Sequence, residues 1–154
     1  MLDKIDLKIL EILQINGRIS NIELSEKINL SPTPCLKRVK KLEKEGIIKN
    51  YKAVLDPQKL GYNIVGVILM RISDSSREAV DKFAAAITKI PAITECHMTT
   101  GRIDYIAKVY SKSFEDYEAI IKDDIGRIPN ILSMETLFLF SNVVEDDSFK
   151  FAPL

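Results

Sequence analysis

The sequence predicts an α+β protein in two parts. An N-terminal helix-turn-helix domain, winged-helix-like in outline, covers residues 1–50, and a C-terminal ferredoxin-like βαββαβ domain covers 62–154. A connecting strand and hinge at 51–61 join them. Three observations predict this. Apolar residues in the first part recur at helical spacing between turn residues. In the second part Ile90-Pro91-Ala92-Ile93 returns as Ile128-Pro129-Asn130-Ile131, each copy following a helical pattern and preceding a β-prone run. Charge is also divided. The formal net charge is zero, yet residues 1–60 hold 12 Lys/Arg against 8 Asp/Glu and residues 61–154 hold 10 against 14.

Asp3 is a fair N-cap, and Ile5, Ile9, Ile12 and Leu13 follow on one stripe of a first helix that Asn16-Gly17 stops. Ser20-Asn21-Ile22-Glu23 reads as a capping box opening a second helix, with Leu24 and Ile28 facing inward. Asn29 tolerates the left-handed conformation and turns the chain. Ser31 then caps a third helix. Pro32 and Pro34 fall in its first turn, where the missing N–H groups cost no intrahelical bond. This helix runs to about Glu45 and ends at Gly46. The β-prone run 47–55 suits a wing or a connecting strand, and Asp56-Pro57-Gln58-Lys59-Leu60-Gly61 suits a turn.

The second part reads as strands 64–72, 93–99, 103–110 and 132–140 with helices 76–89 and 114–127. Val80, Phe83, Ala84 and Ile87 mark the inner face of the first of these helices. Phe114, Tyr117, Ile121 and Ile125 mark that of the second. The order β-α-β-β-α-β gives a sheet with helices on one face. Val65, Val67, Leu69, Ile106, Leu137 and Leu139 leave apolar groups for the other face, and a second subunit is the economical cover.

The chemistry lies in the third helix. Cys35, Leu36, Val39 and Leu42 share one side of its wheel; Thr33, Lys37, Lys40, Lys41 and Lys44 share the other, with Arg38 flanking. Acids are absent from it before Glu43. A surface helix usually interleaves Glu with Lys, so an outward cationic face after a short turn suits the major groove of double-stranded DNA. In this reading Ser31 and Thr33 at the helix N-terminus hold phosphate. Lys37 and Arg38 reach base edges, while Lys40, Lys41 and Lys44 grip the backbone. A single such module binds weakly, so the reading requires an oligomer. Neither a catalytic constellation nor a cofactor motif stands out, which argues against an enzyme. Cys35, Cys96 and His97 make no metal-ligand set. Cys35 reads as a packing residue, His97 as a strand side chain, and Asp146-Asp147 as a solvated tail. The opening Met1-Leu2-Asp3-Lys4 is unlike a secretion signal and no apolar run reaches membrane-spanning length, so the expected place is the cytoplasm, with the nucleoid.

Several segments together resemble the Lrp/AsnC (feast/famine) regulators. They are Ser20-Asn21-Ile22-Glu23-Leu24-Ser25, Leu30-Ser31-Pro32-Thr33-Pro34-Cys35-Leu36-Lys37-Arg38-Val39, Leu42-Glu43, Gly46, Tyr51, Pro57, Glu95-Cys96-His97 and Gly101-Arg102-Ile103-Asp104-Tyr105. The resemblance covers almost the whole chain. It implies a winged-helix-type DNA reader joined to an ACT/RAM-like effector domain, and dimers that assemble further, often into octamers. It also implies an amino acid bound between subunits, lined here by Thr99, Thr100, Gly101, Arg102 and Asp104 with Thr136 from the last strand. Two departures stand out. Asn29 replaces a frequent glycine, and Arg102-Ile103 replaces a small or acidic residue followed by an aromatic. If Arg102 faces the pocket it meets a ligand carboxylate; otherwise it is a solvated turn residue. Two other readings remain beside this one. An RNA-binding plait needs a basic, aromatic sheet face, which an acidic half with Tyr105 and Tyr110 on that strand lacks. A low-specificity, architectural DNA-compacting protein fits the same cationic helix.

Overall fold

A computed structural model describes residues 2–144 and 148–151. The chain forms two compact units, residues 2–54 with 144 and 148–151, and residues 55–143. The C-terminal segment was expected in the second domain but groups with the first. The Gln14 amide pairs with the main chain of Phe149, its Oε1 accepting from the N–H at 2.7 Å and its Nε2 donating to the carbonyl at 3.3 Å. Phe151 packs against the core of the same unit. Asp146-Asp147 lie outside the described residues.

In the first unit Asp3 caps helix α1 (Lys4–Ile15), accepting from the Ile5 and Asp6 amides at 2.9 and 2.8 Å, while Asp6 accepts from the Asp3 N–H at 3.2 Å. Ser20 and Glu23 close the same reciprocal box on α2 (Asn21–Lys27). Asn29 turns the chain at φ 56°. Ser31 is the N-cap of α3 (Pro32–Lys44), but its side chain makes no capping bond. The N3 amide that a capping hydroxyl normally accepts from belongs here to Pro34, which has no N–H. Gly46, at φ 70°, ends the helix. Ile9, Leu10, Leu24, Ile28, Cys35 and Leu42 form the core. Leu36, expected inside, is 41% exposed. At about 100° per residue it lies a quarter-turn from Cys35, beyond the edge of a narrower stripe than the wheel suggested.

Residues 47–63 contain no strand, so the connecting strand expected at 51–61 does not form. No neighbouring strand takes up its N–H and C=O groups. Tyr51 instead lies over Gly17 and donates its hydroxyl to Glu43 at 3.0 Å. Asp56 accepts from the amides of Gln58 and Lys59, making the expected turn.

The second unit is an antiparallel four-stranded sheet in the order β2-β3-β1-β4. The strands are β1 (Ile64–Ile72), β2 (Ile93–Met98), β3 (Tyr105–Ser111) and β4 (Ile131–Phe138). Helix α4 (Arg77–Ile87) links β1 to β2. Helix α5 (Phe114–Ala119) links β3 to β4, continuing as a π-turn (Ile120–Asp124) and a 3-10 turn (Ile125–Arg127) rather than one regular helix to 127. Ile68 pairs with Ala107 on one side and Thr136 on the other, which fixes the register. Strand alternation buries Ile68, Met70, Tyr105, Ala107 and Val109 with Phe83, Ile87, Ile90, Ile120, Ile125 and Ile128. Phe114 is 59% exposed, against expectation, and meets Phe138 edge-on. Ala84 is exposed as well, because Phe83 and Ile87 hold the centre of the face. On the other sheet face Val65, Val67, Leu69, Ile106 and Tyr110 are half-buried, and Leu137 and Leu139 are 48% and 42% exposed.

Candidate nucleic-acid interface and effector loop

Helix α3 has a buried side and a cationic side. Lys37, Lys40, Lys41 and Lys44 are all exposed. Lys41 lies 3.9 Å from Glu45; among the described residues, Lys37, Lys40 and Lys44 have no acidic partner. Unpaired ammonium groups along about two turns present a positive stripe whose charge is not cancelled locally. Ser31 and Thr33 are exposed at the start of this helix, as a phosphate contact requires. The prolines around them have a second effect, however. Pro32 and Pro34 remove two of the first-turn N–H groups, leaving the amides of Ser31 and Thr33 with their hydroxyls as donors.

Arg38 points elsewhere. Its Nη1 donates to Asp3 Oδ2 at 2.6 Å and to Asp6 Oδ1 at 2.7 Å, across to the start of α1. The Asp6 amide first, and then this guanidinium, hold the Asp3 carboxyl below its ordinary value. Arg38, expected to reach base edges, is here engaged in an ion pair within the three-helix unit and does not stand with the outward lysines. The sequence signal was present, since Asp3 and Asp6 occupy the two ends of a capping box, but only Asp3 was read. Asn21 was missed as well. Its Nδ2 donates to the Pro32 carbonyl at 2.9 Å, joining the starts of α2 and α3. Tyr51 closes the far end of α3. Burial, then its bond to Glu43, pushes its phenol up to about 12.

The loop between β2 and β3 is a tight turn. The Thr99 N–H donates to the Asp104 carbonyl at 2.8 Å and its hydroxyl donates to the Ile103 carbonyl. Gly101 sits at φ 105°, where a side chain is strained. Asp104 is tied to β1, its N–H donating to Met70 O at 3.0 Å and its Oδ2 accepting from Ile72 N at 2.9 Å. Thr100, Gly101 and Arg102 are exposed, and among the described residues Arg102 has no acidic partner. Thr136 is not brought to this loop within one chain. It lies opposite Ile68 in the middle of β4, hydroxyl to hydroxyl with Tyr117. Among the described residues no group of three or more His, Cys, Asp or Glu could hold a metal, and no helix is long and apolar enough to cross a membrane.

A helix-turn-helix with an uncompensated cationic third helix, followed by a ferredoxin-like domain, defines a DNA-binding regulator with a separate regulatory domain. Residues 2–49 match the winged helix-turn-helix DNA-binding family, and residues 66–149 match the Lrp/AsnC ligand binding domain. The chain belongs to the Lrp/AsnC family of transcriptional regulators. It is 39% identical over 142 residues to the leucine-responsive regulatory protein of Haemophilus influenzae, covering 92% of this chain and 86% of that one. It is 38% identical over 144 residues to the proline dehydrogenase transcriptional activator of Rhizobium radiobacter, covering 94% and 92%. Among solved structures, a Neisseria meningitidis transcriptional regulator in complex with L-Met superimposes with a TM-score of 0.92 at 33% identity, over 97% of each chain. The AsnC protein of E. coli does so with 0.84 at 29% identity, over 94% and 95%. These relatives are transcriptional regulators, not enzymes.

Proposed function

We propose that this chain is a sequence-specific DNA-binding regulator of the cytoplasm and nucleoid, whose assembly or DNA affinity responds to an amino acid. The observation that carries the DNA half is the exposed, unpaired row Lys37, Lys40 and Lys44 on the face of α3 opposite its buried stripe. In this reading Lys37 enters the major groove, Lys40, Lys41 and Lys44 hold the backbone, and Ser31 and Thr33 meet the first phosphate through their hydroxyls and amides. The apolar outer sheet face supports pairing of two chains there, which presents two α3 helices to one duplex. Such dimers assemble further, to an octamer.

The effector half rests on the family's ligand-binding domain and on the L-Met held by the Neisseria relative. The exposed Thr100-Gly101-Arg102 crest, braced by Thr99 and Asp104, supplies one wall, with Arg102 meeting a carboxylate. Thr136 belongs to this site only if a second subunit brings it there. One observation favours the architectural alternative. With Arg38 engaged by Asp3 and Asp6, the outward face is made of lysines, which hold phosphate as point charges and read bases less selectively than arginine does.

Selection of duplexes from a random pool, repeated with each amino acid added, tests both halves. A regulator enriches a near-palindromic site with half-sites about 34–36 Å apart. A compactor enriches nothing and shows a steep salt slope. Lys37→Glu eliminates binding while leaving the oligomer intact; normal binding by this variant refutes the assigned face. Arg102→Ala abolishes the amino-acid response without loss of DNA binding.

A further inference from the structure

Arg38 lies on the DNA-reading helix and carries a positive charge, yet its direction separates it from the lysines. At about 100° per residue, Lys37, Lys40, Lys44 and Thr33 fall within about 60° of one another around α3. Arg38 falls about 100° from Lys37 and only about 60° from Cys35, which is fully buried. From there its Nη1 reaches two carboxylates at once, Asp3 at 2.6 Å and Asp6 at 2.7 Å. The Asp6 side chain is 4% exposed and the Arg38 side chain 32%. A buried carboxylate needs a cation, so the pair resists separation. Both acids belong to the capping box of α1, and each is held by the other's main chain. The guanidinium therefore ends on a fixed point of α1 rather than on a swinging side chain.

We infer that Arg38 is a positioning residue, clamping α3 by its side to the capped start of α1 so that the rotation of α3 about its own axis is set and the Lys37, Lys40 and Lys44 row faces the duplex. The inference rests on the proposal that this row meets DNA. A helix with one apolar stripe rolls on its neighbours until something stops it, and a charged strut to one side of the stripe is such a stop. Asn21, donating to Pro32 at the start of α3, fixes the position of that end but not the roll further along.

The two roles open to Arg38 predict opposite signs for the acids. If Arg38 contacted phosphate, Asp3 and Asp6 would compete with DNA for it, and neutralising either would tighten binding. If it positions α3, neutralising either loosens the helix and weakens binding, although a negative charge has been removed near the duplex. The decisive variant is Asp3→Asn, because asparagine caps a helix as well as aspartate does and the fold is retained. Asp6→Asn and Arg38→Gln accompany it, with Lys40→Gln as the comparator for a true phosphate contact. Affinity of the full chain for a duplex selected by the unaltered protein, and for a random duplex, is measured across a salt series well below the melting temperature.

The expected result for Asp3→Asn is affinity for the selected duplex several-fold weaker, with a reduced ratio to the random duplex and an unchanged slope of log K against log salt. Arg38→Gln behaves alike and more strongly, while Lys40→Gln lowers the slope by about 0.9. A purely stabilising role would lower Tm and leave these affinities unmoved. Unchanged or tighter binding by Asp3→Asn overturns the inference, as does a slope change for Arg38→Gln equal to that of Lys40→Gln. If Lys40→Gln leaves both slope and affinity intact, the DNA face itself is misassigned, and this outcome is distinct from the others.

Discussion

Helices α4 and α5 occupy equivalent places in the two halves of the plait, yet one is regular and the other is not. Ser76 and Ser113 are their N-caps, each accepting from the amide three residues on. Phe83 and Ile120 are their first buried residues. Both pairs stand 37 residues apart. Further along, Ile87 matches Ile125 and Ile90 matches Ile128, and these pairs stand 38 apart. The second copy carries one extra residue between 120 and 125, and the π-turn Ile120–Asp124 is where it goes. Widening a single turn keeps Ile120 and Ile125 on one face although they are five apart in sequence. The register of everything downstream, including the Ile-Pro-x-Ile turn, is preserved. The main-chain roles there also match: Ala92 O accepts from Tyr110 N at 3.0 Å and Asn130 O accepts from Ser73 N at 2.9 Å. An internal repeat thus tolerates an insertion when helical geometry absorbs it locally.

The equivalence is broken most directly at its anchors. Phe83→Ala is expected to cost about 3–5 kcal/mol and Ile120→Ala about 2–5, read by urea unfolding; an Ile120→Ala cost below about 1 kcal/mol means the two positions are not equivalent. Next come the turns. Asn130 sits at φ 79° and its side chain accepts from Ser73 Oγ and Asp74 N and donates to Asp74 O, each at 2.6 Å. Ala92 takes no such backbone conformation. Asn130→Ala therefore costs about 2–3 kcal/mol, whereas Asn130→Gly, which relieves the backbone, costs less. Thermal melts of the pair give the ordering. A Cβ on Gly126 would come within 2.8 Å of the Ile121 carbonyl oxygen, so Gly126→Ala lowers stability by about 1–3 kcal/mol. The smallest effect sharpens the comparison furthest. Deleting Lys122 restores a 37-residue spacing, changes stability by less than about 1 kcal/mol, and makes Gly126→Ala nearly neutral in a double-mutant cycle. If the two changes simply add, the π-turn is not what crowds Gly126.

The fold was legible where one chemical signal dictates one local structure. The N-cap at Asp3, the capping box at Ser20, the left-handed Asn29 and the repeated Ile-Pro turns all translate directly into backbone, and apolar alternation sets the sheet. Three features were not legible, for physical reasons. The run 47–55 has β-prone residues, but a strand needs a partner edge and sequence does not reveal one. The insertion in α5 is visible only when the repeat is aligned residue by residue. The Arg38 pair with Asp3 and Asp6 depends on how the neighbouring helix is placed, which charge and helix face alone do not reveal. Of the candidate site, the lysine row was readable from periodicity. The separation of Thr136 from the Thr99–Asp104 turn depends on strand order, which the linear sequence does not display.

One contact bears on how this chain tolerates change. Gln14 grips Phe149 only through the N–H and carbonyl common to nearly every amino acid, while the ring of Phe149 stays 77% exposed. Nineteen of the twenty side chains leave that handshake intact at 149, proline alone removing its donor. Position 14 has less latitude, because its side chain must reach the main chain with a donor and an acceptor on two neighbouring atoms, as a primary amide does. Substitutions on the two sides of a single contact therefore meet opposite constraints.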